Sequence, residues 1–487
     1  MNDLLCFSLI EKITGGKWLV PPPDFDIQLS GGAFDTRSLG QADIFFAWKG
    51  ENSDGHQYLK QLEGSRVKLA IVEQAVPPLD GIAVLKVPQT LEALHQLANH
   101  LALGFEGKIV NITGSSGKTT TKTWLTHILK DRFNLLSNPG SFNNHIGCPI
   151  TILSMSATHD LMILEMGSSG LGELDLLSSI APADITLLLN VGHAHLGKFG
   201  SIENTYQAKT EIFNHRRGEA VSIVPDGDLK LALYLQEEPT YTFGRRSDSF
   251  SYRIQSVDTQ NMSQTIVFQT PLGEKSVVVG QLGNYVGELL SAILAVCFSL
   301  GLTWEEIEAR LVSLPQEKGR STFFKGINGS LLLDDTYNAN PESMINMLET
   351  ICSVDAEQRI GVVGNLAELE SDLSESAEFI LSNLPERLTG LFLSGESGKI
   401  LTPLIQKRFP ELTTEFASSI TEMIDLLKPL MNNRTVVGIK GSRSAHMERV
   451  ISGLKEKRFT CLLNRCSRLN RCDVCDLFDI AEQSERS

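Results

Sequence analysis

The chain has 487 residues, 42% hydrophobic and 21% charged, which is ordinary for a globular protein and suggests about three domains. Its formal net charge of −15 argues against a nucleic-acid-binding surface, which needs clustered Lys and Arg, but not against a nucleotide held in a local pocket. The sequence contains no apolar run long enough to span a membrane.

The first 88 residues are predicted to form a small α/β domain. Residues 1–10 contain a short apolar run with no basic residue before it, which predicts an amphipathic helix and not a signal peptide. Short apolar strands then alternate with turns, for example at residues 43–48 and 67–72. From residue 89 onward, leucines at helical spacing between Leu91 and Leu101 predict a helix that ends by Gly104.

The most informative segment, residues 108–122, joins an apolar strand to a Gly-Ser loop and then to Lys-Thr-Thr at the start of a helix. The N–H groups of such a loop and the dipole of the following helix favour a bound phosphate. Lys118 is predicted to reach the terminal phosphates of a nucleotide, and the Thr119 hydroxyl to bind Mg²⁺. The alternative is a glycine-rich turn before an ordinary helix. The predicted nucleotide-binding residues here are Gly114, Ser115, Ser116, Gly117, Lys118, Thr119 and Thr120.

From this loop to about residue 316 the pattern is strand, loop and helix, repeated. Apolar strands are predicted at residues 161–164 and 184–190, and such continuous apolar strands between helices indicate a parallel sheet covered on both faces. Glu165 ends the first of these strands and offers Mg²⁺ a hard oxygen ligand. His195 follows the second strand and is a further candidate ligand, with a structural histidine as the alternative.

A third α/β unit follows a predicted linker at residues 314–320. Each of its strands ends in a polar or glycine-rich loop, where open parallel sheets place their ligands. These strands are predicted at residues 330–333, 359–363, 390–393 and 435–439. The predicted domains are residues 1–88, 89–316 and 317–458, followed by a tail at 459–487.

The eight cysteines fall into two groups. Cys6, Cys148, Cys297 and Cys352 are scattered, as in a cytosolic protein with reduced thiols. The other four crowd the tail, where Cys472 and Cys475 have the spacing of metal ligands. Because the tail is polar and lacks the periodicity of a core helix, we expect an extension that catalysis does not need. A zinc site is the alternative. The tail cysteines are Cys461, Cys466, Cys472 and Cys475.

Several strings along the chain resemble those of the Mur ligase family, specifically of the UDP-N-acetylmuramoyl-tripeptide–D-alanyl-D-alanine ligases (the MurF type). The resemblance runs from about residue 25 to about residue 455. Its most specific strings are Tyr-Asn-Ala-Asn-Pro at 337–341 and Lys-Gly-Ser-Arg-Ser at 440–444, because sister Mur ligases differ there. The other strings are residues 34–38, 45–50, 54–56, 113–121, 141–147, 165–167, 194–196, 208–213 and 334–336.

The resemblance implies a three-domain α/β fold. It consists of a small N-terminal α/β domain for the UDP-substrate, a central phosphate-loop ATPase-like domain with a parallel sheet, and a C-terminal Rossmann-like domain. The implied activity is ATP-dependent ligation of D-alanyl-D-alanine to UDP-N-acetylmuramoyl-tripeptide through an acyl phosphate, a step of peptidoglycan synthesis. ATP and two Mg²⁺ ions are the implied cofactors. A monomer in the cytoplasm is expected, with neither nucleic acid nor membrane as a partner.

The resemblance also implies roles for individual residues. Lys209 matches the lysine that the family carbamylates with CO₂, which turns a cation into an anion able to bridge to a second Mg²⁺. The implied catalytic residues are Lys118, Lys209 and His195, and the implied metal ligands are Thr119, Glu165, His195 and Lys209. Substrate contacts are implied for Arg37 and Ser38 (the UDP part), Asn143 and Asn144 (the muramoyl peptide) and Arg443 (the peptide or dipeptide). ATP contacts are implied for Arg320, Asp335 and Asn338, with capping or turn roles as alternatives throughout.

Two strings depart from the family pattern. Only Asn284 remains of a His-Asn-x-x-Asn run that helps bind the nucleotide base, and Asn365 replaces an expected aspartate. Three enzyme alternatives are a third-residue-adding ligase, a folylpolyglutamate synthase and a phosphate-loop kinase. A non-catalytic Mur-fold binding protein is the alternative from another class, but it would be expected to have lost Lys118, Glu165, His195 or Lys209.

Overall fold

The structure is a computed structural model that describes residues 5–50, 53–192, 199–235, 239–245, 252–260, 262–366, 373–455, 472 and 475. The chain divides into two compact units. The first comprises Met1–Asn190, Tyr206–Thr242 and Ala295–Leu302, and the second Val191–Thr205, Phe243–Leu294 and Thr303–Ser487. The predicted site residue His195 and the tail residues Cys461 and Cys466 lie outside the described residues.

Helices and strands alternate along most of the described chain. The α-helices are α1 (Phe7–Thr14), α2 (Thr90–Gly104), α3 (Lys118–Leu129), α4 (Gly147–Leu153), α5 (Glu173–Ile180), α6 (Ile202–Thr210), α7 (Asn284–Ser299), α8 (Trp304–Leu311), α9 (Pro341–Ser353), α10 (Leu373–Asn383), α11 (Gly395–Arg408), α12 (Ile420–Leu427) and α13 (Glu448–Gly453). Short 3₁₀ helices occur at Gly55–Leu62, Glu211–Phe213, Leu231–Leu233, Ile327–Gly329, Lys428–Leu430 and Arg443–Ala445.

The strands form three sheets. They are β1 (Lys17–Val20), β2 (Gly32–Ala33), β3 (Ile44–Phe46), β4 (Leu69–Val72), β5 (Ala83–Lys86), β6 (Lys108–Thr113), β7 (Leu135–Ser137), β8 (Leu161–Glu165), β9 (Ala183–Leu188), β10 (Arg216–Pro225), β11 (Tyr241–Gly244), β12 (Tyr252–Gln260), β13 (Ser263–Thr270), β14 (Gly273–Val279), β15 (Thr322–Lys325), β16 (Leu331–Asp335), β17 (Gln358–Val363), β18 (Gly390–Ser394), β19 (Thr413–Ala417) and β20 (Thr435–Lys440).

The N-terminal sheet has the order β1-β5-β4-β3-β2, with β1 antiparallel to β5 and the remaining pairs parallel. Ile44 and Phe46 on β3 join one buried apolar cluster with Leu97 of α2, whereas Phe45 joins a second cluster. This alternation follows from the two-residue period of side chains along a strand. The strands predicted near residues 43–48 and 67–72 and the helix after residue 89 are confirmed.

The central sheet places the predicted phosphate loop beside Glu165. Within the first unit its strands have the order β10-β9-β6-β8-β7, and each neighbouring pair is parallel. β6 therefore lies between β9 and β8, and Ile112 is in register with Glu165. Because the carboxyl ends of parallel strands meet at one edge, the loops after β6 and β8 are neighbours.

The strand-loop-helix repeat predicted up to residue 316 is wrong for one stretch of the second unit. There β12, β13 and β14 form an antiparallel meander, with Arg253 opposite Gln269 and Phe268 opposite Lys275. On β13 the buried residues recur at every second position, as at Ile266 and Phe268. This two-residue period is the signal of a strand with one covered face, and it could have been read from the sequence.

The C-terminal sheet has the order β15-β16-β20-β17-β18-β19, antiparallel at β15–β16 and parallel elsewhere. One apolar cluster includes residues of α9, α10 and α11, and another includes residues of α12 and α13. Both clusters contain strand residues, so the sheet is covered on both faces. The four strands predicted for this region and the three-domain α/β class are confirmed.

Cys472, in the tail, is buried and makes hydrogen bonds within the second unit. Its side chain is 4% exposed, and its Sγ accepts a hydrogen bond from Arg449 Nε at 3.0 Å. Its backbone N–H donates to Glu448 Oε1 at 2.8 Å. The tail therefore contributes at least one residue to the packing of the second unit. None of the described helices is long and apolar enough to cross a lipid bilayer.

Candidate active site

The loop between β6 and α3 has the backbone shape that its glycines allow. Gly114 has a φ of 157°, and a Cβ on it would lie 2.9 Å from Leu189 Cβ. Gly117 has a φ of 81° and forms the N-cap of α3, so the helix begins at Lys118. Both positions strongly favour glycine, because side chains disfavour this backbone region and the space beside Gly114 is filled.

Asn190, after β9, holds this loop in place. Its Oδ1 accepts the Ser116 N–H at 2.9 Å, and its Nδ2 donates to the Ser116 carbonyl at 3.2 Å. Its own carbonyl accepts the Ser115 N–H at 3.1 Å. Lys118 Nζ donates to the Gly114 carbonyl and, at 3.4 Å, to that of Ser115. The sequence analysis assigned no role to Asn190, although its place at a strand end was a usable signal.

Glu165 is the centre of the polar cluster beside the loop. Its Oε1 accepts from Thr119 Oγ1 at 3.1 Å and from Asn143 Nδ2 at 2.8 Å. Its side chain is only 2% exposed, and its buried Oε2 lies within ion-pair distance of Lys122. The structure thus brings together three residues that the sequence analysis had marked from separate motifs.

Lys122 pairs with this buried carboxylate. Its Nζ lies 3.2 Å from Glu165 Oε2 and donates to the carbonyls of Asn138 and Gly140 at 2.7 and 2.8 Å. Asn138 in turn bonds both the N–H and the carbonyl of Glu165, at 2.9 Å each. Lys122 and Asn138 are not predicted from the sequence, because the buried partner of Lys122 lies on a strand far along the chain.

The two predicted peptide-binding asparagines have different surroundings. Asn143 contacts Glu165, and its carbonyl accepts the Gly167 N–H at 2.8 Å. Asn144 Oδ1 accepts from the N–H groups of Ile146 and Gly147, at 3.1 and 2.9 Å, at the start of α4. These contacts are the turn role named as its alternative, and substrate contact by Asn144 stays a prediction.

Lys209, at the end of α6, is almost fully buried, with 1% of its surface exposed. Its Nζ donates to Ser168 Oγ at 3.0 Å. Ser168 lies three residues after Glu165, so Lys209 faces the loop that follows β8. Glu211 holds the neighbouring backbone by accepting the N–H groups of Gly172 and Asp175 at 2.7 and 3.3 Å. Burial raises the pKa of the Glu211 carboxyl.

Arg37 and Ser38 lie in the loop after β2. The Arg37 side chain is 86% exposed, and its Nε and Nη2 donate to Asp35 at 2.9 and 2.7 Å. Hydrogen bonds from Arg37 lower the pKa of the Asp35 carboxyl. The Ser38 N–H donates to the Asp35 carbonyl at 3.0 Å, and the adjacent Phe34 ring stacks on Trp48 at 5.6 Å. An exposed guanidinium is suited to bind the phosphates of a nucleotide diphosphate.

In the second unit, Lys440 joins two of the predicted ATP-binding positions. Its Nζ lies 2.5 Å from Asp335 Oδ2 and donates to the Asn338 carbonyl at 2.9 Å. Asp335 Oδ1 also accepts the Ser321 N–H at 3.2 Å. The sequence analysis quoted Lys440 only as part of a motif, and the pairing of β16 with β20 explains its contact with Asp335.

Arg320 and Asn284 have local partners in the second unit. The Arg320 guanidinium lies 4.2 Å from the centre of the Tyr337 ring, and its Nε lies 3.1 Å from Glu317. Asn284 is exposed at the start of α7, and its Nδ2 donates to Glu349 at 3.3 Å. Both side chains lie on the surface of this unit or close to it.

Arg443 is held by contacts within the second unit. Its Nη2 donates to Glu448 Oε1, and its Nη1 donates to the Thr336 carbonyl at 3.3 Å. Its side chain is 17% exposed. A role for Arg443 in binding the peptide or dipeptide remains a prediction.

Two family models match the chain. The Mur ligase middle domain matches residues 112–297, which include the phosphate loop, Glu165 and Lys209. The model described as "Mur ligase, glutamate ligase domain" matches residues 319–443, which include Arg320, Asp335 and Asn338.

The chain is also similar to individual proteins over most of its length. It is 30% identical to the UDP-N-acetylmuramoyl-tripeptide–D-alanyl-D-alanine ligase of Bacillus subtilis over 92% of this chain and 98% of that protein. The crystal structure I of MurF from Acinetobacter baumannii superposes with a TM-score of 0.82 at 28% identity, covering 93% of this chain and 99% of that one. MurF from Thermotoga maritima in complex with ADP gives 0.76 at 26% identity, over 88% and 98%.

Proposed function

This chain belongs to the Mur ligase family, and we propose that it adds D-alanyl-D-alanine to UDP-N-acetylmuramoyl-tripeptide at the expense of ATP. The observation that carries this proposal is the likeness to the Bacillus subtilis ligase over 98% of that protein's length. The product is the UDP-linked pentapeptide precursor of peptidoglycan. In this reaction the free carboxylate of the tripeptide attacks the γ-phosphorus of ATP, which forms an acyl phosphate and releases ADP. The amine of D-alanyl-D-alanine then attacks the acyl carbon, loses a proton and displaces inorganic phosphate, which leaves the new amide bond.

The phosphate loop is proposed to bind the ATP phosphates through Gly114–Thr120. The N–H groups of its backbone and the first turn of α3 provide positive partial charge for them. Lys118 is proposed to turn from the Gly114 carbonyl to the transferring phosphoryl group, where its charge offsets the negative charge of the transition state. The ADP complex of the Thermotoga maritima relative supports the use of an adenine nucleotide.

The residues near Glu165 suit magnesium. Thr119 Oγ1 and Glu165 Oε1 are hard oxygen donors 3.1 Å apart, and Glu165 Oε2 is buried with Lys122 Nζ 3.2 Å away. Magnesium at this position supplies charge neutralisation for the phosphates. We propose Thr119 and Glu165 as ligands of one ion, with His195 and Lys209 as the further ligands of a two-ion site.

We further propose that Lys209 is a carbamate in the active enzyme. Its amine adds to CO₂ and releases one proton, which leaves a carboxylate-like anion on the side chain. The support is its position in the family string at residues 208–213 and its burial next to the loop that follows Glu165. A buried anion here would be compensated by a divalent ion, and an unmodified lysine cannot serve as such a ligand.

Lys209→Ala tests the carbamate. We expect the variant to be nearly inactive and partly restored by acetate or formate, which supply the missing anion. The matched control is Lys230→Ala, which removes an exposed lysine and should not change activity. The carbamate proposal is wrong if Lys209→Ala keeps full activity in buffer depleted of CO₂.

The second unit is proposed to contribute Arg320, Asp335 and Asn338 to ATP binding and Arg443 to the peptide or dipeptide. The contact of Lys440 with Asp335 and Asn338 supports a preorganised group of polar residues there. Arg37 and Ser38 are proposed to bind the UDP part, Asn143 and Asn144 the muramoyl peptide, and Asn284 the adenine side of the nucleotide. The proposed domain boundaries are those predicted at residues 88, 316 and 458.

The proposed location is the cytoplasm, and the proposed active form is a monomer. The location is supported by the six cysteines among the described residues, none of which forms a disulfide, as is typical of a reducing compartment.

A phosphate-release assay tests the reaction. With ATP, Mg²⁺, UDP-N-acetylmuramoyl-tripeptide and D-alanyl-D-alanine together, we expect release of one phosphate for each pentapeptide formed. Omission of any one of these four components should abolish both phosphate release and pentapeptide formation. Phosphate release that does not depend on D-alanyl-D-alanine, or an equal rate with a single amino acid in its place, would contradict the proposal and favour another Mur-type ligase.

A further inference from the structure

A buried group of side chains that could hold a metal ion lies in the second unit, and none of its members is assigned to the proposed reaction. His446, Glu448 and Cys472 each offer one ligand atom, and these atoms lie within 4.8 Å of one another. The three residues are 3%, 3% and 4% exposed. His446 and Glu448 lie at the start of α13, whereas Cys472 is 24 residues beyond Glu448 in the sequence.

The distances suit a tetrahedral ion. His446 Nδ1 lies 3.5 Å from Cys472 Sγ and 3.5 Å from Glu448 Oε1. With bonds to zinc of about 2.0 Å from nitrogen or oxygen and about 2.3 Å from sulfur, tetrahedral angles separate neighbouring ligand atoms by roughly 3.3–3.6 Å. Little rearrangement of the histidine and the cysteine is therefore needed.

A second observation points to an absent partner. His446 Nε2 and Glu448 Oε2 are buried and have no hydrogen-bond partner among the described residues. A buried polar atom without a partner costs about 1–3 kcal/mol. His446 also has a left-handed backbone with a φ of 49°, an uncommon conformation for a residue other than glycine. An ion bound by Glu448 Oε1 can also be bound by Oε2, which would give this buried oxygen a partner, whereas His446 Nε2 points away from an ion on Nδ1.

The charges around the group allow a divalent cation. Arg443 Nη2 donates to Glu448 and lies 3.3 Å from His446 Nδ1, and Arg449 Nε donates to Cys472 Sγ. A metal ion would take the place of the Arg443 contact with Glu448. Because cysteines bind metal as thiolates, two cysteine ligands release two protons and offset the two charges of zinc. Zinc binding therefore leaves the net charge of this group unchanged, so it adds no positive charge next to Arg443 and Arg449.

Cys475 is a second cysteine of the tail. It follows Cys472 with the two-residue gap common in zinc sites, and its N–H donates to the Cys472 carbonyl at 3.1 Å. Its side chain is half-buried. A rotation within this turn is needed to bring its sulfur to the other three groups.

We propose that His446, Glu448, Cys472 and Cys475 form a structural zinc site that fastens the tail to the second unit. The site is closed, with four protein ligands and no open position for a substrate, as is typical of structural zinc. It is separate from the proposed magnesium site, whose ligands Thr119 and Glu165 lie in the first unit.

Metal content and cobalt spectroscopy test the proposal on the full chain. Protein purified without chelators should contain one zinc ion per chain by elemental analysis. After removal of zinc, added Co²⁺ should give a thiolate-to-cobalt charge-transfer absorption in the near ultraviolet. That absorption distinguishes this site from the magnesium site, because the ligands proposed there contain no sulfur.

Two variants and a control complete the test. Cys472→Ser should lose the charge-transfer absorption and the bound zinc. His446→Asn should weaken zinc binding by tenfold or more. Asparagine tolerates the left-handed backbone at this position, so the variant is expected to fold. It therefore tests the proposal even if Cys472→Ser does not fold. Cys6→Ser removes a thiol of the first unit and should change neither readout. Wild-type protein that takes up cobalt without the thiolate absorption, or a Cys472→Ser variant with unchanged zinc content, would overturn the proposal.

Discussion

Two lysines of α3, one helical turn apart, have different environments. Lys118 begins the helix, is half-buried and bonds to carbonyls of the phosphate loop. Lys122 has a side chain only 6% exposed and pairs with Glu165. The first is therefore expected to act on the reaction, and the second on the stability of the loop and its carboxylate.

Lys118→Ala should lower turnover by about 100-fold or more, because a preorganised charge on the transferring phosphoryl group is lost. The fold should be unchanged by circular dichroism. The measurement is the rate of pentapeptide formation at saturating ATP, with Lys130→Ala, at the exposed end of the same helix, as the control. Near-normal turnover of Lys118→Ala would contradict the assignment of this loop.

Lys122→Met should lower the free energy of unfolding by about 3–5 kcal/mol, because removing one partner leaves the buried Glu165 charge uncompensated. The carbonyls of Asn138 and Gly140 lose their donor as well. Urea denaturation measures the change. Lys130→Met, at an exposed position, should stay within about 0.5 kcal/mol of the wild type, and equal stabilities of the two variants would refute the prediction.

At the scale of elements, one of the two most specific family strings also starts a helix. The string is Tyr-Asn-Ala-Asn-Pro, and the helix is α9. Asn340, in Tyr-Asn-Ala-Asn-Pro, is the N-cap of α9, with Oδ1 accepting the Ser343 N–H at 2.8 Å. Ser343 Oγ accepts the Asn340 N–H in return at 3.1 Å, and Pro341 occupies the first helical position. This capping box sets the point where the loop after β16 ends and the helix begins.

Asn340→Ala should destabilise the protein by about 1–2 kcal/mol, the usual cost of losing an N-cap. Asn340→Ser keeps an oxygen acceptor and should lower the free energy of unfolding by only about a few tenths of a kcal/mol. Thermal unfolding of both variants measures the difference. If alanine and serine lower the melting temperature equally, the cap is not the source of the effect.

At the scale of the whole molecule, a residue of the tail contacts α13. This residue is Cys472. The N–H of Cys472 bonds to Glu448, which in turn holds Arg443. Without the tail, Glu448 loses a donor and Arg449 loses its bond to Cys472 Sγ. That catalysis does not need this extension stays a prediction, whereas the burial of Cys472 indicates a structural contribution.

Truncation after residue 458 should lower the free energy of unfolding by about 1–3 kcal/mol, the cost of leaving a buried carboxylate short of a donor. The measurement is denaturant unfolding with a chelator present, so that metal binding does not contribute. Truncation after residue 476 retains both Cys472 and Cys475 and serves as the control. If both truncated proteins unfold like the full chain, the tail contacts do not stabilise the second unit.

The sequence by itself determined the elements and the family. Continuous apolar runs predicted β8, β9, β16, β17, β18 and β20 to within a few residues, because a buried parallel strand needs apolar residues on both faces. The glycines and Lys-Thr-Thr predicted the phosphate loop, because backbone geometry and phosphate binding depend on local residue types. The family resemblance is confirmed by relatives matched over most of the chain.

Only the tertiary structure decided which distant residues meet. The pairing of Lys122 with Glu165, of Lys440 with Asp335, and of Cys472 with His446 and Glu448 joins positions far apart in sequence. The order of the strands brings the first two pairs together, and the position of Cys472 beside α13 forms the third group. Local periodicity and spacing in the sequence predict neither. The antiparallel meander of β12–β14 was missed for a different reason, since its two-residue period was visible but was taken as part of a parallel repeat.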